Sequence, residues 1–195
     1  MIPRGKPSTW TDYQSWDDDT RWEIIDGHPY AMSSPTYLHQ QLLGALFLSM
    51  SEKLKGHRCQ VVLSPFDVRL SEYDVVQPDI LVVCEPERLR KAHYEGAPSL
   101  VVEILSPSTS RHDRVRKLAL YARCGVPEYW IVSPEPAMLE VLTLAGDCYR
   151  LRGFMPVDEV RSSTIPELKL RLAEIFVGAP PPAADEVKEG RPPTY

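Results

Sequence analysis

The sequence predicts an α/β (α+β) domain built on a mixed central β-sheet, with helices and strands in the order αβββαβ and added β-hairpins. Two observations favour this class. Apolar, β-branched segments over 59–70, 75–84 and 99–105 indicate three consecutive strands. A strand, a helix over 112–124 and a further strand over 128–133 then form a βαβ unit, whose two strands should be parallel.

The composition is that of an ordinary globular protein. The 195 residues are 43% hydrophobic and 25% charged, with a formal net charge of −5, which argues against a disordered or fibrous chain. We expect an N-terminal helical extension over 1–20, a main domain over 21–177 and a proline-rich, disordered tail over 178–195. The chain contains no apolar run of membrane-spanning length and no signal-type start, so we expect a cytoplasmic protein that makes no use of a membrane.

Local signals justify the first elements. Aromatic residues recur at positions 10, 13 and 16 after Thr9, which is typical of a short capped helix. Asp26-Gly27 is a strong two-residue turn signal and predicts a β-hairpin. Leucines at 38, 42, 46 and 54 have helical spacing and predict a helix over 36–55.

The later elements follow from the same kinds of pattern. The segment 112–124 is predicted to be an amphipathic helix, ended by Gly125. Its apolar side is formed by Val115, Leu118, Ala119 and Ala122. A β-hairpin over 137–144 and 147–152 follows, and a short strand with a helical turn over 160–176 closes the domain.

The cysteines and histidines give no sign of a metal or disulfide framework. Cys59, Cys84, Cys124 and Cys148 are widely separated and form no CxxC pair, so we expect reduced, mostly buried thiols rather than a disulfide or a zinc knuckle. The five histidines form no HExxH motif.

Two carboxylates lie in apolar segments, where burying a charged group costs free energy. Glu103 interrupts the apolar run 100–105, and an unpaired carboxylate in a strand covered on both faces would cost several kcal/mol. Asp79 opens the apolar strand that follows Pro78. If the two strands are neighbours, both carboxylates converge at one sheet end and suit Mg²⁺ or Mn²⁺. A paired core glutamate and an ordinary strand-start aspartate are the alternatives.

The helix after the Glu103 strand carries a third group. Asp113 and Lys117 are four residues apart and could form a surface ion pair. A lysine on a helix that packs on the sheet could instead reach the strand end and stabilise charge on a phosphate.

These residues resemble the PD-(D/E)XK nuclease superfamily, and specifically its Uma2 group of restriction-type endonucleases. The resemblance extends over about 20–176 and includes Pro78-Asp79, Glu103-Ile104-Leu105, Lys117 and Tyr121. The longer matching stretches are Arg21 to Gly27, Gln77 to Ile80, Pro98 to Ser108, and Gly125 to Val132.

The resemblance implies a restriction-endonuclease-like fold and a role for each matched residue. Asp79 and Glu103 would hold one or two Mg²⁺ or Mn²⁺ ions, with the Ile104 carbonyl as a further ligand. This sequence has Leu105 where the superfamily has lysine, and the lysine function would pass to Lys117 on the following helix.

Three more residues are candidates. Glu23 would be a further catalytic carboxylate, although a hairpin surface residue is nearly as good an interpretation. His39 could face the cleft and bind substrate, with a helix-capping or core histidine as the alternative. Arg111 begins a locally basic segment, 106–127, that could bind substrate phosphates beside an otherwise acidic protein.

We therefore predict a Mg²⁺- or Mn²⁺-dependent endonuclease acting on DNA, with a homodimer expected by analogy with the family. Two other functions stay open. One is a catalytically inactive nuclease fold used as a binding or dimerisation module, and the other is a hydrolase of a small phosphate ester.

Overall fold

The computed structural model describes residues 6–17, 19–106 and 110–177, and the tail predicted over 178–195 lies outside these ranges. Helix α1 (Trp10–Gln14) begins at Thr9, whose hydroxyl accepts the Asp12 N–H while the Asp12 carboxylate accepts the Thr9 N–H. This reciprocal cap stabilises a helix too short to persist alone.

The remaining helices and strands include every element predicted over the central part of the chain, together with additional strands. The helices are α2 (Tyr37–Lys53), a π-helical segment (His112–Lys117) that continues into α3 (Leu118–Arg123), and two short 3-10 turns (Pro86–Arg88 and Leu172–Glu174). The strands are β1 (Trp22–Ile25), β2 (His28–Ala31), β3 (Gln60–Leu63), β4 (Asp67–Arg69), β5 (Val75–Val76), β6 (Ile80–Val83), β7 (His93–Glu95), β8 (Leu100–Ile104), β9 (Glu128–Ser133), β10 (Met138–Ala145), β11 (Cys148–Phe154), β12 (Glu159–Arg161) and β13 (Lys169–Arg171).

The strands form a six-stranded sheet, a five-stranded sheet and a two-stranded pair. The six-stranded sheet has the order β11-β10-β9-β8-β6-β3, and the five-stranded sheet has the order β2-β1-β5-β4-β7. Strands β8 and β9 are parallel, as predicted, while β6 runs antiparallel to β8. The mixed α+β class is confirmed, and α2, β3, β6, β8, α3 and β9 give the predicted αβββαβ order. The sequence pattern missed β7 and did not show that 59–70 and 75–84 each divide between the two large sheets.

The hairpin turn has the predicted geometry. Asp26 and Gly27 both have positive φ, 53° and 71°, which is the conformation that a type I′ turn requires. A Cβ atom added to Gly27 would lie 2.5 Å from the Cβ of Pro7. The turn therefore needs glycine for its conformation and for its close contact with the preceding chain.

Strand β8 is buried on both faces. Leu100, Val102 and Ile104 pack into the core that contains the buried side of α2. Val101 and Leu105 pack into the second core, with Leu120 and Tyr121 of α3. The alternation places Glu103 on this second side, where it meets the helix that follows the strand.

The apolar side predicted for the helix over 112–124 is wrong. Val115 is 59% exposed, and the residues that the helix buries are Asp113, Lys117, Leu120 and Tyr121. The physical reason is that the first turns are π-helical, so their spacing departs from the 3.6-residue period on which the prediction rests. The charged side of the helix is stabilised instead by ion pairs with groups of the sheets.

The cysteine prediction is wrong for one pair. Cys59 and Cys84 form a disulfide, whereas Cys124 and Cys148 are free. Gln60 pairs with Val83 in the antiparallel β3–β6 ladder, so the preceding and following cysteines stand opposite each other. Strand register, which sequence spacing does not reveal, decides the pairing.

Within the described residues, no helix has both the length and the apolar character to cross a membrane.

Candidate active site

Asp79 and Glu103 meet where two neighbouring strands end. Asp79 precedes Ile80 and Glu103 follows Val102, and Ile80 pairs with Val102 in the antiparallel ladder. The Oδ2 atom of Asp79 accepts the Ile104 N–H at 2.8 Å and lies 3.0 Å from Nε2 of His39. One oxygen of Asp79 is thus fixed by the protein, and the carboxylate is held opposite Glu103.

Glu103 is buried, and two donors hold one of its oxygens. Lys117 Nζ and the Tyr121 hydroxyl each donate to Oε1 at 2.8 Å. These donors explain how a carboxylate in the apolar layer between β8 and α3 is tolerated. The predicted alternative of a core ion pair is therefore present, but it coexists with the convergence on Asp79.

Lys117 is surrounded by carboxylates. Its Nζ lies 2.8 Å from Oε1 of both Glu23 and Glu103, and 3.7 Å from Oδ1 of Asp113. The side chain is 3% exposed, so the surface ion pair considered from the sequence is in fact a buried cluster. The π-helical segment brings Lys117 to the same point that the adjacent strand ends reach.

Glu23 belongs to this cluster and is not a hairpin surface residue. It is 3% exposed, and its Oε1 accepts the backbone N–H of Gln77 at 2.9 Å in addition to Lys117. Its Oε2 lies 3.4 Å from Nε2 of His112. Strand β1, from the five-stranded sheet, thereby contributes to a site whose other carboxylates come from the six-stranded sheet and from the π-helical segment.

Burial and neighbouring charges displace the pKa values of these groups. Burial raises the pKa of Glu103, and the negative charges of Asp113, Asp79 and Glu23 raise it further. The positive charge of Lys117 acts in the opposite direction, but the pKa of Glu103 stays well above its usual value. Burial also acts to raise the pKa of Glu23, but Lys117, His112 and the Gln77 N–H outweigh it and lower the pKa to about 2.

For the lysine, burial and the neighbouring carboxylates shift the pKa in opposite directions. Burial would lower the pKa of Lys117, but Glu103, Glu23 and Asp113 together raise it well above its usual value. Lys117 therefore stays protonated, and Glu23 carries the negative charge that balances it. Asp79 and Asp113 add further negative potential beside Glu103.

A cavity of about 350 Å³ opens onto these groups. The β1–β2 hairpin, the start of α2, the ends of β6 and β8 and the π-helical segment form its walls. Its charged and aromatic lining comprises Arg21, Glu23, Tyr30, His39, Asp79, Glu103, His112, Asp113, Arg116 and Lys117.

Most of the residues singled out from the sequence meet at this cavity, with one exception. Arg111 is exposed and is not among the described residues that line the cavity. His39 combines two of its predicted roles, since Thr36 caps its N–H and its ring contacts Asp79.

Sequence reasoning did not single out Arg21 or His112 for the site, and it included Arg116 only as part of the basic segment 106–127. The available signals were the two-residue strand spacing from Arg21 to Glu23 and the four-residue helical spacing from His112 to Arg116.

The donor set suits a hard divalent cation that retains water. Donors from the described residues reach Oδ2 of Asp79 and Oε1 of Glu103, and none of them reaches the second oxygen of either carboxylate. No group of three or more His, Cys, Asp or Glu side chains in the described ranges is arranged as a metal cage. Mg²⁺ is commonly bound by one or two carboxylates together with waters and substrate phosphate, so Asp79 and Glu103 fit such an ion.

Comparisons with known proteins agree with the resemblance drawn from the sequence. The family model of Uma2, described as "putative restriction endonuclease", matches residues 10–173. The uncharacterized protein slr1290 of Synechocystis sp. is 32% identical over 134 residues, which are 67% of this chain and 70% of that protein. A crystal structure from Anabaena variabilis is titled a "putative nuclease belonging to DUF820". It superposes on this chain with a TM-score of 0.73 at 19% sequence identity, and the match includes 87% of this chain and 98% of that chain. That likeness supports the fold, and the extent of the family match confirms the predicted relationship: the chain belongs to the Uma2 family.

Proposed function

We propose that the protein is a Mg²⁺- or Mn²⁺-dependent endonuclease that hydrolyses DNA phosphodiester bonds at this cavity. The observation that carries the proposal is the placement of Asp79 opposite Glu103, with the buried Lys117 ammonium 2.8 Å from Glu103. Membership of a family described as restriction endonucleases supports a nuclease.

Asp79 and Glu103 would hold the metal. When bound, such an ion polarises a phosphate oxygen and lowers the pKa of a coordinated water. The protein holds both carboxylates ready, since the Ile104 N–H and His39 orient Asp79 while Lys117 and Tyr121 orient Glu103.

Lys117 would contribute positive charge next to the reacting phosphate. An ammonium has three N–H donors; two of them lie at hydrogen-bond distance from Glu23 and Glu103. The contact with Asp113, at 3.7 Å, is too long for a hydrogen bond. The third donor is therefore available to a water molecule or to a phosphate oxygen, where negative charge develops during hydrolysis.

The test combines metal binding and cleavage. Mn²⁺ binding is measured by calorimetry on the wild type, Asp79→Asn and Glu103→Gln, and each protein is then incubated with plasmid DNA. Glu159→Gln, an exposed carboxylate change on β12, is the matched control.

Loss of both binding and nicking in the site variants, with the control unchanged, is the expected result. Mn²⁺ binding without cleavage would redirect the proposal to a small phosphate ester. Wild-type protein that binds no Mn²⁺ would refute the mechanism and favour an inactive binding module. The homodimer and the cytoplasmic location stay predictions, the former to be checked by sedimentation equilibrium.

A further inference from the structure

Two arginines in the cavity differ from their neighbours in having no carboxylate partner. Among the described residues, Arg114 pairs with Glu140 and Arg123 pairs with Asp74. Arg21 and Arg116 line the cavity, and neither forms an ion pair with a described carboxylate. Neither guanidinium is paired directly with a described carboxylate, although four carboxylates line the same cavity.

Arg21 is positioned by a buried amide. It lies two residues before Glu23, so both side chains project from the same face of the hairpin. Its Nε donates to Oε1 of Gln77 at 2.9 Å. The Gln77 amide is fixed in turn because its Nε2 donates to Asp67 at 2.8 Å. The two terminal nitrogens of Arg21 keep their N–H groups for a ligand.

Arg116 is positioned by an aromatic ring. Its guanidinium carbon lies 4.8 Å from the ring centroid of Tyr30, a distance that favours a cation–π contact. Tyr30 pairs with Glu23 across the hairpin, so its ring stands on the same face as Arg21. The His112 ring packs edge-on against Tyr30 at 4.9 Å and completes this wall.

One buried ring nitrogen of the same cavity has no hydrogen-bond partner among the described residues. It is Nδ1 of His39, on a side chain that is 7% exposed and whose Nε2 lies 3.0 Å from Asp79. Buried polar atoms without a partner are rare in folded proteins, so this nitrogen is available to a bound ligand. The two guanidinium groups without a carboxylate partner carry only donors, and they indicate that this ligand has several acceptor oxygens.

We propose that Arg21 and Arg116 form a phosphate-binding pair for the backbone phosphates adjacent to the one that is hydrolysed. The planar guanidinium fork matches the geometry of a phosphate. The chain has a net charge of −5, and the centre of the site is rich in carboxylates, so a polyanion needs local cations to approach. This inference rests on the proposed function and specifies its substrate: a polynucleotide strand rather than a small phosphate ester.

The test measures binding without hydrolysis. A fluorescent 12-nucleotide DNA strand is titrated in EDTA at several salt concentrations with the wild type, Arg21→Gln, Arg116→Gln and the double variant. Arg150→Gln, an exposed change on β11 outside the cavity, is the control. Each site substitution should weaken binding about tenfold and reduce the slope of log K against log salt by about 1.

Two further arms separate the alternatives. In the first arm, unlabelled competitors displace the fluorescent strand from the protein. A dinucleoside monophosphate, which has a single phosphate, should displace it from the wild type far less well than the unlabelled 12-nucleotide strand does. This difference between the two competitors should largely disappear in the double variant. Arg21→Lys should keep the salt slope and lose affinity, because it retains the charge without the fork. Thermal melting of every variant excludes unfolding as the cause of lost binding, and Arg116 is exposed in any case.

Several results would overturn the inference. In the first, the wild type does not bind the strand at low salt. In the second, the site variants match the wild type in affinity and in salt slope. In the third, a dinucleoside monophosphate competes as well as the strand. Binding through both arginines without any cleavage would refute the nuclease proposal alone. Cleavage with binding that is independent of the arginines would refute this inference alone.

Discussion

Glu23 offers a quantitative test of the buried charge cluster. In Glu23→Gln the side chain keeps its size and its carbonyl oxygen, so the acceptor for the Gln77 N–H at 2.9 Å is retained. The charge that faces Lys117 at 2.8 Å is removed. The variant therefore isolates the electrostatic contribution of one carboxylate to the stability of the fold.

The expected magnitude follows from the displaced pKa. Lys117 and the other donors lower the pKa of Glu23 from 4.5 to about 2 against the effect of burial. At roughly 1.4 kcal/mol per pH unit, this displacement corresponds to about 3 kcal/mol of stability. Because the folded-state pKa is the lower one, the stabilisation is complete above about pH 5 and is lost as the pH falls towards 2.

The assay is urea unfolding of the wild type and Glu23→Gln at intervals between pH 7 and pH 3. The difference in the free energy of unfolding should be about 3 kcal/mol at pH 7 and roughly half of that at pH 3. Glu159→Gln, which removes an exposed carboxylate on β12, should show less than about 0.5 kcal/mol at either pH. A wild-type advantage over Glu23→Gln that does not change with pH would refute the reasoning, because a loss of packing alone has no pH dependence.

Three other predictions concern the surroundings of the site and the scaffold. His39→Leu removes the ring that contacts Asp79 and should weaken Mn²⁺ binding in calorimetry about tenfold, whereas His39→Gln, which can donate from a similar position, should restore most of it. Glu128 receives five hydrogen bonds from described residues, donated by an indole, two hydroxyls and two backbone amides, so Glu128→Gln should cost about 3 kcal/mol in urea unfolding and leave Mn²⁺ binding unchanged. The Cys59–Cys84 disulfide joins residues 25 apart in sequence, and replacing both cysteines with alanine should cost about 3 kcal/mol of unfolding free energy; equal stability of wild type and variant under oxidising conditions would contradict this.

The fold was predictable because its signals are local. The hairpin turn needs two residues with positive φ, and Asp26-Gly27 is a dipeptide that readily adopts this conformation. The turn can therefore be predicted from these two residues alone. The apolar run of β8 likewise indicates a strand covered on both faces. The division of the strands into two sheets was not predictable, since it depends on which edges pair after the chain has folded.

The candidate site was predictable in part, for a related reason. Asp79 and Glu103 stand out because a charge within an apolar strand needs a physical explanation. Glu23 and Arg21 alternate with Trp22 and Ile24 along a hairpin strand, a pattern in which polar residues ordinarily face solvent and their charge needs no explanation. Their importance follows from the approach of the five-stranded sheet to Lys117 and Gln77.

The same limitation explains the two errors. The apolar stripe predicted for the helix over 112–124 assumes an α-helical period, which the π-helical turn does not have. The disulfide follows from a cross-strand register that no spacing of cysteines encodes.

The position of the lysine shows how the fold can change the source of a group without moving the group itself. A lysine two residues after Glu103 on β8 would share its face, but this position is occupied by Leu105, which packs in the core beneath α3. Lys117 comes from the adjacent helix and still reaches Oε1 of Glu103 at 2.8 Å. Because the helix follows the strand directly and packs back onto it, an ammonium from either element can occupy nearly the same space. The proposed chemistry calls for a cation among Glu23, Glu103 and Asp113; here the helix supplies that cation, while the strand stays apolar at Leu105.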